Sequence, residues 1–161
     1  MDGFDPRVAL ALLLGAMLLA SGIEDARFRN IANRKTLLIA LLAPLWWWAN
    51  GATLWPGVAT QLGIAVVTFA VFAAAFHIGA MGGGDVKLIT ALSLWLPPSV
   101  FVGMLVVMSL VGGAVTLVMM VEHRIKRGAD GSGGQIEVPY GVAIAAAGLL
   151  ALHEPILNQF G

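Results

Sequence analysis

The sequence predicts an all-α bundle of membrane-spanning helices, and two observations support this fold class. Hydrophobic residues make up 59% of the 161 positions and charged residues only 11%, whereas a soluble domain carries roughly a quarter charged residues. The charges are also clustered, since residues 36–84 and 88–121 contain none. Uncharged stretches of that length are typical of helices embedded in lipid.

The apolar stretches divide into several segments. A helix needs roughly 20 residues to cross the hydrocarbon layer, and the length of each segment is judged against that number. Five segments approach or reach this length, at about 8–23, 37–55, 57–78, 99–121 and 138–152. A shorter run, 88–96, stops at a Pro-Pro pair and cannot cross the bilayer alone. Counted as the fourth crossing, it gives about six transmembrane segments in a single domain spanning residues 1–161. The polar connection 122–137, with Gly-Ser-Gly-Gly at its centre, predicts a flexible loop.

The cationic residues predict the orientation of the bundle. Eight of the nine Lys and Arg residues lie in the connections after the first, third and fifth segments, and only Arg7 lies on the other side. Because cytoplasmic loops carry an excess of Lys and Arg, these connections are predicted to be cytoplasmic and both termini non-cytoplasmic. The short fourth crossing is needed for this alternation, since without it residues 124–127 would lie on the wrong side.

Composition also excludes several kinds of site. The net charge is zero, so no overall field favours nucleic acid as a partner. The chain has no cysteine, which excludes disulfides, thiolate metal ligands and a cysteine nucleophile. His123 and His153 fall on opposite sides of the predicted membrane and cannot share a metal. We therefore expect no metal and no cofactor.

Two acidic residues stand out by position. Asp25 ends the first segment, and Asp85 follows the third segment at the end of a glycine run. Both connections are predicted to be cytoplasmic, so both carboxylates lie at one membrane surface, where ionisable groups are usually functional. Two neighbouring carboxylates share a proton because they cannot both ionise readily. One can then activate water while the other polarises a carbonyl, as in an aspartyl protease.

The glycine run Gly82, Gly83 and Gly84 suits such a site but also has a purely structural explanation. Without Cβ atoms, this backbone lets an extended peptide approach closely and pair with it. A Gly-rich turn followed by Asp is also a common helix start, with Asp85 as the N-cap. Taken alone, the Gly-Gly-Gly-Asp sequence favours the structural explanation.

Three elements together resemble the type IV prepilin peptidases. They are residues 25–33 (Asp-Ala-Arg-Phe-Arg-Asn-Ile-Ala-Asn), 81–88 (Met-Gly-Gly-Gly-Asp-Val-Lys-Leu) and 138–143 (Val-Pro-Tyr-Gly-Val-Ala). The second matches the Gly-x-Gly-Asp motif, which archaeal preflagellin peptidases and, more distantly, presenilins share. The third lies where the family has a Pro-Tyr-Gly element before its last helix. The resemblance covers nearly the whole chain in order and hydropathy.

The resemblance implies an aspartic endopeptidase of the bacterial inner membrane that removes the basic leader of prepilins or pseudopilins at the cytoplasmic face. The family's catalytic aspartates fall on Asp25 and Asp85, and Glu24 is one place off the motif. Lipid is the other expected partner. Substrate-binding or supporting roles fall on Gly82, Gly83, Gly84, Lys87, Pro139, Tyr140 and Gly141. A membrane anchor is the ordinary explanation for Lys87, and an interface anchor for Tyr140.

Two departures refine the resemblance. Family members usually have Ile-Pro-Asn where this chain has Ile31-Ala32-Asn33, which leaves the Asp25 loop less constrained; Asn33 is a candidate cap of the second helix. Larger members carry a cytoplasmic insert with two Cys-x-x-Cys pairs and methylate the new N-terminus. This chain lacks both features and is similar to the short peptidases of the tight-adherence (Flp) pilus, the CpaA/TadV type, so we expect cleavage without N-methylation.

A different class of protein remains open on physical grounds. Paired carboxylates in a membrane also suit a small transporter or channel subunit that uses Asp25 and Asp85 as an ion or proton site. Their position at one surface, and the near absence of ionisable groups within the spans, favour the protease.

Overall fold

A computed structural model gives the chain as a bundle of six α-helices, described for residues 5–29, 31–130 and 140–157. A kinked turn at Leu54–Val58, in which Trp55 is extended (φ −132°, ψ 130°), precedes the third helix. The described residues contain no β-strand, so the predicted all-α class is confirmed. In chain order the helices are α1 (Pro6–Phe28), α2 (Asn33–Ala49), α3 (Ala59–His77), α4 (Gly83–Ser93), α5 (Pro98–Asp130) and α6 (Tyr140–Leu157).

Within the described residues, three stretches are long and apolar enough to cross a membrane: Pro6–Phe28, Leu54–His77 and Pro98–Glu122. Their outward faces carry exposed Leu, Val, Ile and Phe side chains, as expected of surfaces in contact with lipid. α4 has only 11 residues and is therefore about 16 Å long, roughly half the thickness of the hydrocarbon layer. The unpaired backbone N–H and C=O groups at its ends must therefore find hydrogen-bond partners on the surrounding helices.

Several predicted boundaries are wrong in detail. α2 ends at Ala49 rather than near residue 55, because Gly51 takes a positive φ of 65° in the turn that follows. α5 continues to Asp130, through the first part of the predicted flexible loop; Glu, Arg and Lys are good helix formers and extend it. Asn33 does not cap α2, since Ala32 occupies the N-cap position without a side-chain hydrogen bond.

α4 forms the centre of the bundle. It packs against α2, α3 and α6, and α6 in turn packs along α1 and α5. Leu88, Ile89 and Leu92 of α4 are completely buried, as are Leu14 and Leu18 of α1. The short helix is thus enclosed by the longer ones, which fixes the position of its first turn relative to α1 and α6.

The C-terminal end of α4 is closed by side chains of α2 and α3. The carbonyl groups of residues 94–96 each accept one hydrogen bond. In order, the donors are Trp47 Nε1 at 2.7 Å, Trp46 Nε1 at 2.9 Å and Gln61 Nε2 at 2.8 Å. Trp46 also stacks on Trp95, with ring centroids 5.4 Å apart. Helix ends leave carbonyls without intrahelical partners, and here indole and amide groups supply them within the bundle.

Candidate active site

Asp25 lies in the last turn of α1 and faces the first turn of α6. It is 6% exposed. A Cβ atom placed on Gly141 would lie 2.7 Å from Asp25 Cγ and 2.8 Å from Oδ2, so no larger residue fits there without displacement. The backbone N–H groups of Gly141 and Val142 lie beside the carboxylate, although Oδ2 is buried without a hydrogen-bond partner among the described residues. The N-terminus of a helix favours a negative charge at this position.

Asp85 lies in the first turn of α4, three residues after the N-cap. The N-cap is Gly82, so the prediction that Asp85 is the N-cap is wrong. Its carboxylate instead reaches back towards the backbone N–H of Gly82, as the acidic residue of a capping box does. A Cβ atom on Gly82 would lie 2.9 Å from Asp85 Oδ2, so this glycine makes room for the carboxylate. Asp85 is only 7% exposed.

The bundle brings the two carboxylates together. They come from different helices, 60 positions apart in the sequence, and are close enough to interact electrostatically. Both are buried, so water screens their repulsion weakly. One proton shared between them removes that repulsion, whereas two ionised carboxylates at this position would destabilise each other.

The other glycines of the motif differ in their surroundings. A Cβ atom on Gly84 would lie 3.2 Å from Cβ and 3.5 Å from the backbone N of Ile31, which is tighter than ordinary packing. A Cβ atom on Gly83 would meet only the ring of Phe76, at an ordinary 3.4 Å. Gly84 therefore allows the α1–α2 connection to pack against the Asp85 turn, and Gly82 is the one exposed glycine of the three.

Two further predicted supporting residues, Lys87 and Tyr140, contact parts of the bundle other than the acids. Lys87 is two positions after Asp85 and so projects from a nearly opposite side of α4; its Nζ donates to Asn33 Oδ1 at 2.8 Å. The ring of Tyr140 packs on Gly112 of α5, at 3.4 Å from a Cβ placed there. Pro139 falls outside the described residues.

Glu24 has a structural role that its sequence position did not reveal. Its Oε2 accepts a hydrogen bond from the backbone N of Ala32 at 3.3 Å and pairs with Lys35 Nζ at 2.9 Å. The chain must fold back after α1 for these groups to meet, and no spacing rule predicts that reversal. Across the described ranges, no group of three or more His, Cys, Asp or Glu residues is placed to hold a metal ion.

The fold and this geometry define a class: a membrane helix bundle in which two buried carboxylates, one near the end of α1 and one at the start of α4, are close enough to interact electrostatically. The model of the type IV leader peptidase family matches residues 12–117, about two thirds of the chain. The chain therefore belongs to the type IV leader peptidase family and is a membrane peptidase. The matched residues include Asp25 and Asp85 and end before Tyr140. Comparisons with curated proteins and with solved structures give no match.

Proposed function

We propose that this chain hydrolyses the leader of prepilin-type precursors at the cytoplasmic face of the bacterial inner membrane, with Asp25 and Asp85 as the catalytic pair. The observation that carries the proposal is the meeting of these two buried carboxylates within the family-matched part of the chain. Family membership also favours a peptidase over the ion-transport alternative, since leader peptidases act on a peptide bond.

The surroundings of the two acids suggest different roles for them. Backbone N–H groups favour an ionised carboxylate, and Asp25 faces two of them, those of Gly141 and Val142, whereas Asp85 faces the one of Gly82. Asp85 is buried beside it and keeps the shared proton. Asp25 then removes a proton from a water molecule, and the oxygen of that water bonds to the scissile carbonyl carbon. At the same time Asp85 protonates the carbonyl oxygen. When the C–N bond breaks, the leaving amine takes a proton from the pair, and no metal is required.

Family membership implies the substrate class, and the placement of the site at one end of the bundle suits it. A precursor with a basic leader and an apolar helix keeps its leader in the cytoplasm while the helix lies in the bilayer. The leader junction then reaches the level of the acids. The eight cationic residues on the predicted cytoplasmic side support this orientation.

We also propose that cleavage occurs without N-methylation. The connection between α1 and α2 spans only residues 29–32, so it holds no inserted domain that could carry a second activity. The mass of the mature pilin N-terminus measures this directly, because methylation adds one methyl group to the new amine.

The test is leader cleavage of a co-expressed prepilin by the native chain, Asp25→Asn and Asp85→Asn. General acid–base groups contribute about 10²–10⁴-fold, so each variant is expected to lose at least about 10²-fold in processing rate. Asp5→Asn is the matched control, since it removes a carboxylate from the opposite end of α1. Membrane insertion of each variant is verified by fractionation. Normal processing by either inserted variant would overturn the assignment of the pair, and an N-methylated product would overturn the second proposal.

A further inference from the structure

The connection between α1 and α2 is closed by one ion pair. Glu24 Oε2 lies 2.9 Å from Lys35 Nζ, which joins the end of α1 to the first turn of α2. The same oxygen accepts the backbone N–H of Ala32 at 3.3 Å. Lys35 Nζ also donates to the carbonyl oxygen of Ala20 at 3.3 Å. We call the side chains of Glu24 and Lys35, with the backbone N–H of Ala32, the loop clamp.

The loop clamp holds the residue that packs against the Asp85 turn. Ile31 directly precedes Ala32 and is buried. Its Cβ and backbone N are the atoms that a Cβ on Gly84 would meet at 3.2 and 3.5 Å, so Ile31 lies directly against the backbone of Gly84. Gly84 is the immediate neighbour of Asp85. A displacement of Ala32 would therefore move Ile31, and with it the surface that the Asp85 turn packs against.

The loop clamp also includes the residue next to Asp25. Glu24 and Asp25 are consecutive in α1, so the backbone that positions one positions the other. The clamp therefore joins the helix that carries Asp25 to the connection that packs against the Asp85 turn. Lys87 adds a second link on the far side of that turn through its hydrogen bond to Asn33.

We propose that Glu24 and Lys35 are positioning residues for the leader-peptidase reaction, because they hold Ile31 against Gly84 and so set the separation of Asp25 and Asp85. This inference rests on the proposed function. It assigns Glu24 no proton transfer and no contact with substrate. Its effect is on the geometry of the two acids, and a misplacement of about 1 Å can cost about 10²-fold in rate.

The exposure of the pair separates a positioning role from a stabilising one. The side chains of Lys35 and Glu24 are 31% and 27% exposed, and ion pairs in contact with water contribute little to stability. Removing the clamp should therefore change the free energy of unfolding only slightly. A rate effect that exceeds the stability effect is the signature of positioning.

The experiment compares four variants in detergent, with initial rates measured on a purified prepilin. Glu24→Leu removes both interactions, Glu24→Gln keeps an acceptor for the Ala32 N–H, and Lys35→Met removes the cation. Arg34→Gln is the matched control: it removes an exposed cation from the same turn of α2, and no hydrogen bond or ion pair of Arg34 is seen among the described residues. We expect Glu24→Leu to lower kcat on the order of tenfold with KM nearly unchanged, Glu24→Gln and Lys35→Met to lower it less, and Arg34→Gln to match the native chain.

Hydrogen exchange at the backbone amide of Ala32 gives a readout that does not depend on cleavage. Faster exchange is expected in Glu24→Leu and native exchange in Arg34→Gln. If the native chain processes the prepilin and Glu24→Leu does so at the native kcat, the positioning proposal is overturned. Unchanged exchange at Ala32 in Glu24→Leu overturns it as well. If the native chain cleaves no prepilin, the proposed function fails, and the exchange result still decides whether the clamp holds the connection.

Discussion

The two ends of α4 satisfy their backbone hydrogen-bonding groups in different ways. Both ends of this short helix lie within the bundle, where unpaired backbone groups are costly. At the C-terminal end, two rigid indole N–H groups and one side-chain amide donate hydrogen bonds to the carbonyl oxygens of residues 94–96. At the N-terminal end, Gly82 is exposed, and the Asp85 side chain reaches back to its backbone N–H. The C-terminal end thus anchors α4, and the N-terminal end is available for chemistry.

The anchoring end is tested by Trp95→Ala, which has the largest expected effect on stability. Trp95 is 1% exposed and stacks on Trp46, so its removal leaves a large cavity beside the closed end of α4. We expect a loss of about 3–5 kcal/mol in the free energy of unfolding, measured by denaturant titration in detergent. Trp48→Ala is the control, because Trp48 is 78% exposed and should change stability little. Equal losses in both variants would show that the aromatic cluster acts only as an interfacial anchor.

The reactive end is tested by Gly141→Ala, in which the added methyl group overlaps the Asp25 carboxylate. The carboxylate must move, so prepilin processing is expected to fall by about 10²-fold. Gly113→Ala provides the comparison, since a Cβ there meets nothing within 4 Å. Processing is measured by gel shift per unit of inserted protein. A fully active Gly141→Ala variant would mean that the position of Asp25 relative to α6 is unimportant for the reaction.

A smaller difference is expected between two adjacent glycines of the Asp85 turn. Gly84→Ala forces Ile31 away by a few tenths of an ångström, whereas Gly83→Ala gains only an ordinary contact with Phe76. We expect a loss of roughly tenfold in kcat for Gly84→Ala and less than about twofold for Gly83→Ala. The same kinetic assay on purified protein measures both. Equal losses would assign the glycine run to contact with substrate instead of packing within the chain.

The sequence predicted the helices and the meeting of the acids better than it predicted their supports. Hydropathy and charge placed Asp25 and Asp85 at the same end of the bundle, because both signals act locally along the chain. Trp48 and Trp55 have the exposure expected of interfacial residues, whereas Trp46 and Trp47 cap α4 through their indole N–H groups. Such contacts join residues nearly 50 positions apart, and periodicity carries no information about them.

The same limitation explains the wrong or missing details around the site. The sequence does not reveal the role of Glu24, because its partners, Ala32 and Lys35, become neighbours only when the chain reverses. The polar composition after residue 121 predicted a loop, but helix propensity extends α5 to Asp130. A high density of charged residues predicts contact with water. Both a loop and a helix that extends beyond the lipid have such contact, so charge alone does not distinguish them.

The close approach of Gly141 to Asp25 gives the reaction a handedness. One side of the Asp25 carboxylate is occupied by the backbone of α6, whereas Gly82 leaves the Asp85 side open. A peptide bond entering from that side presents the same face of its planar carbonyl at every turnover. Attack on that face puts the water-derived oxygen towards Asp25 and the carbonyl-derived oxygen towards Asp85. A hydroxyethylene peptide mimic, whose single hydroxyl makes the corresponding carbon a stereocentre, should therefore inhibit much more strongly as one epimer than as the other.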